Sequence, residues 1–139
     1  MAQTLALNAQ PATAATDLTA LAGRVALSAI FLISGLSKIA DPAATIGYIQ
    51  SVGLPVPQLG LAIAVLVEVA GGIALIAGYR TRLVAAALAA FSVAAAVGFH
   101  ANLADQNQFI HFFKNIAMAG GLLQVAAFGA GRLSLDARR

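Results

Sequence analysis

Four long apolar stretches restrict this chain to very few folds. They cover residues 18–39, 59–77, 83–99 and 112–128 and contain few charged side chains. A helix needs about 20 apolar residues to cross a hydrocarbon layer about 30 Å thick. Backbone polar groups inside lipid must be satisfied within the bundle, which leaves helices as the suitable structure. The pattern therefore predicts an all-α membrane protein, a four-transmembrane-helix bundle.

The composition supports this class and excludes others. Charged residues make up 9% of the 139 residues and hydrophobic residues 60%, whereas soluble domains carry about a quarter charged residues. Such a chain lacks the charge to cover a water-facing surface, so a cytosolic enzyme is excluded. The net charge is only +3 and no basic cluster lies among aromatics, so no nucleic-acid partner is expected. The absence of cysteine excludes disulfides and thiol chemistry.

The connecting segments predict the domain organisation. Residues 1–16 have no basic residue and are interpreted as a disordered cytoplasmic tail. Residues 17–131 form the transmembrane domain, and residues 132–139 form a second cytoplasmic tail. Asp41-Pro42 is typical of a helix start, which predicts a short amphipathic surface helix over residues 42–51 between spans 1 and 2. Thr81 is expected to cap the third span, and Asp105 or Asn107 to start the fourth.

The basic residues predict the orientation. With four spans, all six arginines lie on one side of the membrane and both lysines, Lys38 and Lys114, lie on the other. Because cytoplasmic loops carry an excess of basic residues, the arginine side is expected to face the cytoplasm together with both termini.

Glu68 is the only glutamate and falls in the middle of the second span. A carboxylate at that depth is costly, so it is expected to pair with a cation or to hold a proton. Arg24 and Lys38, 14 positions apart on the first span, lie within about 40° of one helix face. Both remain candidate partners, and the tilt of side chains toward the helix N-terminus favours Lys38. The alternative is an ion pair that only fixes helix packing.

Polar residues are predicted to gather at the outer mouth of the bundle. Ser34 precedes Lys38 by one turn, and Lys114 and Asn115 share a face of the fourth span with His111. His100 ends the third span on the same side. These groups suit an anion or a quinone carbonyl, and the histidines titrate near neutral pH. The alternative is that lysine and histidine only mark the headgroup boundary.

The candidate ligand-binding residues are therefore Lys38, Lys114, Asn115, His100 and Ser34. Glu68 is the candidate proton-holding or ion-pair residue, and no catalytic residue is assigned. A quinone is the one cofactor that these residues suggest. No metal site is predicted, because the chain has only two histidines and no carboxylate is placed near both.

Several short motifs, in this order, resemble the DoxX family of small four-span bacterial membrane proteins. The resemblance extends from about Arg24 to Asp136. The motifs are 31–38 (FLISGLSK), Asp41-Pro42, 53–55 (GLP), Glu68 with Gly71-Gly72, Thr81-Arg82, His100, Lys114-Asn115, 119–122 (AGGL) and 131–136 (GRLSLD). The resemblance implies a bacterial inner-membrane bundle. It also implies a link to quinone-coupled oxidoreductase systems or oxidative-stress complexes, without naming a substrate.

Three functional hypotheses follow. The leading one is an accessory or redox-associated subunit with an outer-facing quinone- or anion-binding pocket, at most one subunit of a quinone-linked oxidoreductase. The second is a small proton-coupled transporter that uses Glu68. The third is a structural subunit of a membrane complex, without chemistry of its own. Besides the lipid bilayer, other membrane or redox subunits and a second copy of the chain are candidate partners, because small residues on the spans allow close packing.

Overall fold

The computed structural model describes residues 13–139. Residues 1–12, which belong to the predicted tail, lie outside the described residues. The described chain is helical and contains no strand. Its elements are α1 (Ala14–Ala40), α2 (Pro42–Ser51), α3 (Pro57–Val65), a π-helical segment (Leu66–Ala70), α4 (Gly71–Ala77), α5 (Thr81–Phe99), α6 (Gln106–Phe128) and a final 3₁₀ turn (Asp136–Arg138).

Four helical segments are long and apolar enough to cross a membrane, which confirms the predicted fold class. Three of them are α1, α5 and α6. The remaining one, the second along the chain, is the continuous run from α3 through the π-helical segment to the end of α4. The first span starts earlier than expected, because residues 14–16 form the first turn of α1. The side chain of Thr13 caps this turn by accepting a hydrogen bond from the N–H of Thr16. The fourth span begins at Gln106 because Asp105 accepts a hydrogen bond from the N–H of Gln108 at 2.9 Å.

The short helix between the first two spans forms as the sequence predicts. Asp41 accepts a hydrogen bond from the N–H of Ala44 at 3.0 Å, and Pro42 occupies the first turn, where a missing N–H costs nothing. The helix ends at Ser51, and Gly53 then adopts a positive φ of 76°. This geometry holds α2 next to α1 and α3 at one end of the bundle.

The bundle has two chemically different ends. The lysine end contains Lys38 and Lys114, and the arginine end contains Arg24, Arg80, Arg82 and Arg132. Between them lies an apolar core to which α1, α4, α5 and α6 contribute. Its buried members are Phe31, Leu75, Ala85, Leu88, Ala89, Ala119 and Leu122. This core separates the polar groups of the two ends.

The C-terminal tail folds back over the arginine end. Leu135 donates a backbone hydrogen bond to Ala77 O at 3.0 Å, and Asp136 donates one to Gly78 O at 2.8 Å. The carboxylate of Asp136 accepts the N–H groups of Arg80 and Thr81 at 2.8 and 2.7 Å. The predicted capping of α5 by Thr81 is therefore wrong. Thr81 is instead the first residue of the helix and Arg80 precedes it. The free N–H groups of these two residues are satisfied by a carboxylate from the C-terminal tail.

Candidate functional site

Glu68 lies at the centre of a polar cluster inside the bundle. Lys38 Nζ lies 2.9 Å from Glu68 Oε2 and 3.1 Å from Oε1. Ser34 donates a hydrogen bond to Glu68 Oε1 at 3.0 Å, and Lys38 donates one to Ser34 Oγ at 2.7 Å. The carboxylate of Glu68 is thus held by two side chains from one turn of α1.

The backbone on both sides of this contact is shaped for close approach. Glu68 belongs to the π-helical segment, and such one-turn insertions in α-helices are frequent at functional sites. On α1, a Cβ added at Gly35 would lie 2.7 Å from Val69 Cγ2 and 3.1 Å from Glu68 Cβ. Only glycine therefore lets α1 approach the π-helical segment closely enough for Lys38 and Ser34 to reach Glu68.

The structure brings Lys38 to Glu68 and does not bring Arg24 there. Arg24 is 1% exposed at the arginine end, where it donates hydrogen bonds to Leu75 O at 2.9 Å and Ile76 O at 2.7 Å. It also donates to Leu133 O in the C-terminal tail. Leu75 O and Ile76 O belong to the last turn of the second span, where carbonyls lack regular helical N–H partners, and Leu75 O also accepts the N–H of Gly78 at 3.3 Å. Arg24 therefore joins α1 to the second span and the tail.

A cavity of about 740 Å³ lies beside the Lys38–Glu68 pair. It is lined by residues of α1, α2, α3, α5 and α6, together with Glu68 and the loop after α2. Glu68 and all five predicted ligand-binding residues contribute to its wall: Ser34, Lys38, His100, Lys114 and Asn115. Its size falls in the usual range of about 300–1,000 Å³ for small-molecule sites.

The second group of polar residues comes from α5 and α6. The rings of His100 and His111 stack with centroids 5.1 Å apart. Lys114 Nζ lies 3.0 Å from His111 Nδ1, and Asn115 donates a hydrogen bond from Nδ2 to His111 O at 2.9 Å. His111 itself is not part of the cavity wall. It instead supports Lys114, which does line the cavity. The imidazole nitrogen takes only one of the three ammonium hydrogens of Lys114, so the other two remain for a ligand.

Two contributions to this site were missed by the sequence reasoning. Thr45 and Tyr48 of α2 line the cavity, and the Tyr48 hydroxyl donates to Phe99 O at 3.2 Å. Gln108 Oε1 lies 2.7 Å from His100 Nδ1. The helical spacing of Ala43, Ile46 and Ile49 in α2 indicates a helix with one apolar face. In the structure Ile49 is buried, while Tyr48 and Gln50 on either side of it are exposed.

Chemically, the cavity combines hydrogen-bond donors on two sides with apolar walls. Lys38 and Ser34 lie on α1, Lys114 and Asn115 on α6, and Glu68 is the one carboxylate among the lining residues. The remaining wall is largely aromatic and aliphatic, with Phe31, Phe91 and Met118 among its members. Such a site suits a ligand that has acceptor atoms at separate points and a flat or apolar body.

Comparison with known proteins gives the family. A family model described as DoxX matches residues 19–101. The inner membrane protein YqjF of Escherichia coli strain K12 is 34% identical over 120 residues, which cover 86% of this chain and 91% of that protein. The inner membrane protein YphA of the same strain is 35% identical over 130 residues, covering 90% and 93%. No solved structure matches the chain. With four apolar spans and these relatives, the chain belongs to the DoxX family and is a multi-pass protein of the bacterial inner membrane.

Proposed function

We propose that this protein binds a quinone headgroup in the cavity at the lysine end and acts as an accessory subunit of a quinone-linked redox system. The observation that carries the proposal is the cavity itself. It places donors from α1 and α6 on an otherwise apolar wall, beside a buried carboxylate that is already paired with Lys38.

The donor set fits a quinone well. A quinone headgroup is flat, and its two carbonyl oxygens accept hydrogen bonds from opposite sides. Lys114 has further N–H groups beyond the one that faces His111, and Asn115 retains one amide hydrogen and its carbonyl. The apolar wall suits the ring and the start of an isoprenoid tail. A bound quinone would supply two-electron, two-proton redox chemistry.

The roles of the chain's own residues follow from their positions. Lys114 and Asn115 hold and orient one side of the ligand, and Lys38 holds the other. Ser34 gives its one hydroxyl hydrogen to Glu68 and accepts from Lys38, so it orients that pair. Glu68, the one carboxylate that lines the cavity, orients Lys38 and is the proposed proton acceptor beside the ligand. Because the chain has no cysteine, no thiol of this protein delivers electrons, and a partner subunit is expected to do so.

The test is quinone binding to the purified full-length protein, measured by isothermal titration with a short-tailed ubiquinone analogue. Lys38→Met and Lys114→Met should each weaken binding about tenfold or more, because each removes a charged hydrogen-bond donor. Gln124→Leu is the matched control, since Gln124 is exposed on the face of α6 opposite Asn115. Unchanged affinity in both lysine variants would contradict the proposal.

A small anion is the competing ligand for the same donors. Sodium sulfate is a suitable probe, titrated alone and in competition with the quinone analogue. Sulfate that binds in a lysine-dependent way while the quinone analogue does not bind would replace the quinone with an anion as the ligand.

We also propose that the arginine end faces the cytoplasm, with both termini there and the cavity on the outer side of the membrane. The support is the separation of the cations. Arg80 and Arg82 lie in the turn before and at the start of α5, and Arg132, Arg138 and Arg139 lie in the C-terminal tail, whereas the lysines lie at the other end.

The transporter alternative has weaker support, because the apolar core lies between the cavity and the arginine end. At that end Arg24 is occupied by backbone carbonyls. Proton flux into proteoliposomes that depends on Glu68 would favour it. The structural alternative is favoured if Glu68→Gln lowers stability while quinone binding survives, since the contacts of Glu68 with Lys38 and Ser34 would then serve only helix packing.

A further inference from the structure

An open cleft of about 680 Å³ lies at the arginine end, on the far side of the apolar core from the cavity described above. Its walls come from three parts of the chain. These are the start of α5, the end of α6 with the turn that follows it, and the C-terminal tail. The cleft therefore exists only because the tail folds back over this end.

The cleft is rich in guanidinium groups. Arg80, Arg82 and Arg139 line it, and Asp136 provides the one carboxylate side chain among the lining residues. Both oxygens of Asp136 already accept backbone N–H groups. Over residues 13–139, neither of the two salt bridges involves these three arginines. The Arg139 guanidinium lies over the Tyr79 ring with its Cζ 4.5 Å from the centroid, a contact that leaves edge N–H groups to bind an anion. Guanidinium binds phosphate through two parallel hydrogen bonds.

Apolar side chains lie next to these arginines. Phe128 at the end of α6 is 80% exposed and Leu83 in the first turn of α5 is 64% exposed, and both line the cleft. Both residues lie at the arginine end of helices that are long and apolar enough to cross a membrane. In a bilayer their exposed surfaces would therefore meet acyl chains near the boundary where the arginines meet the headgroups. Phosphate-binding and acyl-binding surfaces therefore adjoin each other at one membrane boundary.

We propose that this cleft binds an anionic phospholipid, with the headgroup phosphate on Arg82, Arg80 and Arg139 and an acyl chain along Leu83 and Phe128. An anionic headgroup such as glycerol phosphate adds no cation. A choline headgroup would bring its own positive charge close to three guanidinium groups. Basic pockets beside membrane helices bind anionic lipids for this reason.

The test uses the full-length protein released from detergent in native mass spectrometry, with phosphatidylglycerol and phosphatidylcholine of identical acyl chains. Phosphatidylglycerol should be retained about tenfold more than phosphatidylcholine. Arg82→Gln should reduce its retention about tenfold, because a charge-assisted contact to phosphate is lost. Arg138→Gln is the matched control, since Arg138 is an exposed arginine of the same tail that does not line the cleft. It should leave retention unchanged.

Further arms separate the outcomes. Arg139→Gln, at the end of the tail, tests the same site in a position that is not part of a span and should also weaken retention. Inorganic phosphate is added as a competitor to distinguish a lipid from a free phosphate. Equal retention of the two lipids, equal effects of Arg82→Gln and Arg138→Gln, or displacement of the lipid by inorganic phosphate at an equal concentration would each overturn the proposal.

Discussion

Within the second span, Glu68 is held by two residues of α1, with Lys38 at 2.9 Å and Ser34 at 3.0 Å. The side chain of Glu68 is 6% exposed, whereas that of Lys38 is 21% exposed. Removal of one partner from such a pair costs more than the pair itself contributes, because the other charge is left buried without compensation. Single and double substitutions at this pair should therefore have clearly different effects.

We expect Lys38→Met to lower the free energy of unfolding by about 3 kcal/mol, because it leaves the Glu68 carboxylate without a cation. The double variant Lys38→Met/Glu68→Gln should recover most of that loss, since no charge remains in the site. Thermal unfolding in detergent, followed by circular dichroism, measures both. A double variant as unstable as Lys38→Met alone would show that the ion pair is not what the lysine stabilises.

Arg24 is the second buried charge, and its two terminal guanidinium nitrogens donate to backbone oxygens of the second span and the tail. The planar guanidinium can donate to several acceptors in fixed directions, which an ammonium cannot do. Arg24 and Lys38 share one face of α1 but serve opposite ends of the bundle. One residue fixes the C-terminal tail, and the other fixes the candidate site.

Among the elements, the contact between α1 and the π-helical segment decides whether the site forms. The π-helical segment inserts one residue into the second span and turns Glu68 toward α1, and Gly35 removes the side chain that would keep the two apart. The site thus depends on two local features that face each other between α1 and the second span. One is the π-helical turn at Glu68, and the other is the missing side chain at Gly35.

We expect Gly35→Ala to destabilise the protein by about 1–3 kcal/mol, the usual cost of overpacking. The added Cβ would meet Val69 Cγ2 at 2.7 Å. Gly23→Ala on the same helix is the matched control, because nothing lies within 4 Å of its added Cβ. It should be neutral or stabilise the protein by roughly 0.5–1 kcal/mol. Equal unfolding temperatures of the two variants would contradict the close contact between α1 and the π-helical segment.

The capping of α5 by the C-terminal tail makes stability depend on pH. The side chain and the N–H of Thr81, followed by the N–H of Arg80, hold the pKa of Asp136 below its ordinary value of 3.8. A depressed folded-state pKa adds stability above pH 3.8, and this contribution is lost as the pH falls through the folded-state value. Asp136→Asn should therefore be less stable than the wild type at pH 7, and the difference between them should shrink below pH 3.8. Unfolding temperatures from pH 7 to pH 2.5 measure it, and a difference that stays constant would contradict the capping role.

For the molecule as a whole, the two ends have separate chemistry and are separated by the apolar core. The arginine end closes on itself through the tail, where Arg132 Nε also forms a salt bridge with Asp17 at 2.7 Å. The lysine end instead encloses a cavity with polar and apolar walls. This asymmetry favours a protein that binds its ligand from one side of the membrane.

Labelling of introduced cysteines tests the proposed orientation. The chain has no native cysteine, so Ala104→Cys, in the exposed loop between α5 and α6, and Arg138→Cys, in the exposed tail, report on the two ends separately. In spheroplasts, a membrane-impermeant maleimide should label position 104 at once and position 138 only after permeabilisation. The reverse order would place the cavity on the cytoplasmic side.

Much of the fold could be predicted from the sequence, because apolar length and helix caps are local signals. The four spans, α2 and its Asp41 cap were accessible in this way, and the positions of Lys38 and Glu68 followed from helix periodicity. The favoured partner, Lys38, could be predicted because α1 and the second span run antiparallel and both side chains tilt toward the middle of the pair.

Other features had no local signal. Asp136 caps a helix that begins 55 residues earlier, and Asp17 bonds Arg132 across 115 residues. Such contacts depend on how the tail folds, which no periodicity encodes. The π-helical segment was likewise missed, because Leu66–Ala70 continues the apolar pattern of the span around Glu68 and contains no residue that signals a change of helix type. Thr81 seemed a suitable cap only because the carboxylate that takes this role is so distant in sequence.

The most direct measurement of the central claim is photolabelling of the full-length protein with an azidoquinone, followed by peptide mass spectrometry. We predict a label on cavity-lining peptides of α1 and α6, around Lys38 and Lys114. The label should be competed by excess short-tailed ubiquinone and retained in Gln124→Leu. A label that is spread over the lipid-facing surface of all four spans, and that excess quinone does not remove, would contradict a quinone site in this cavity.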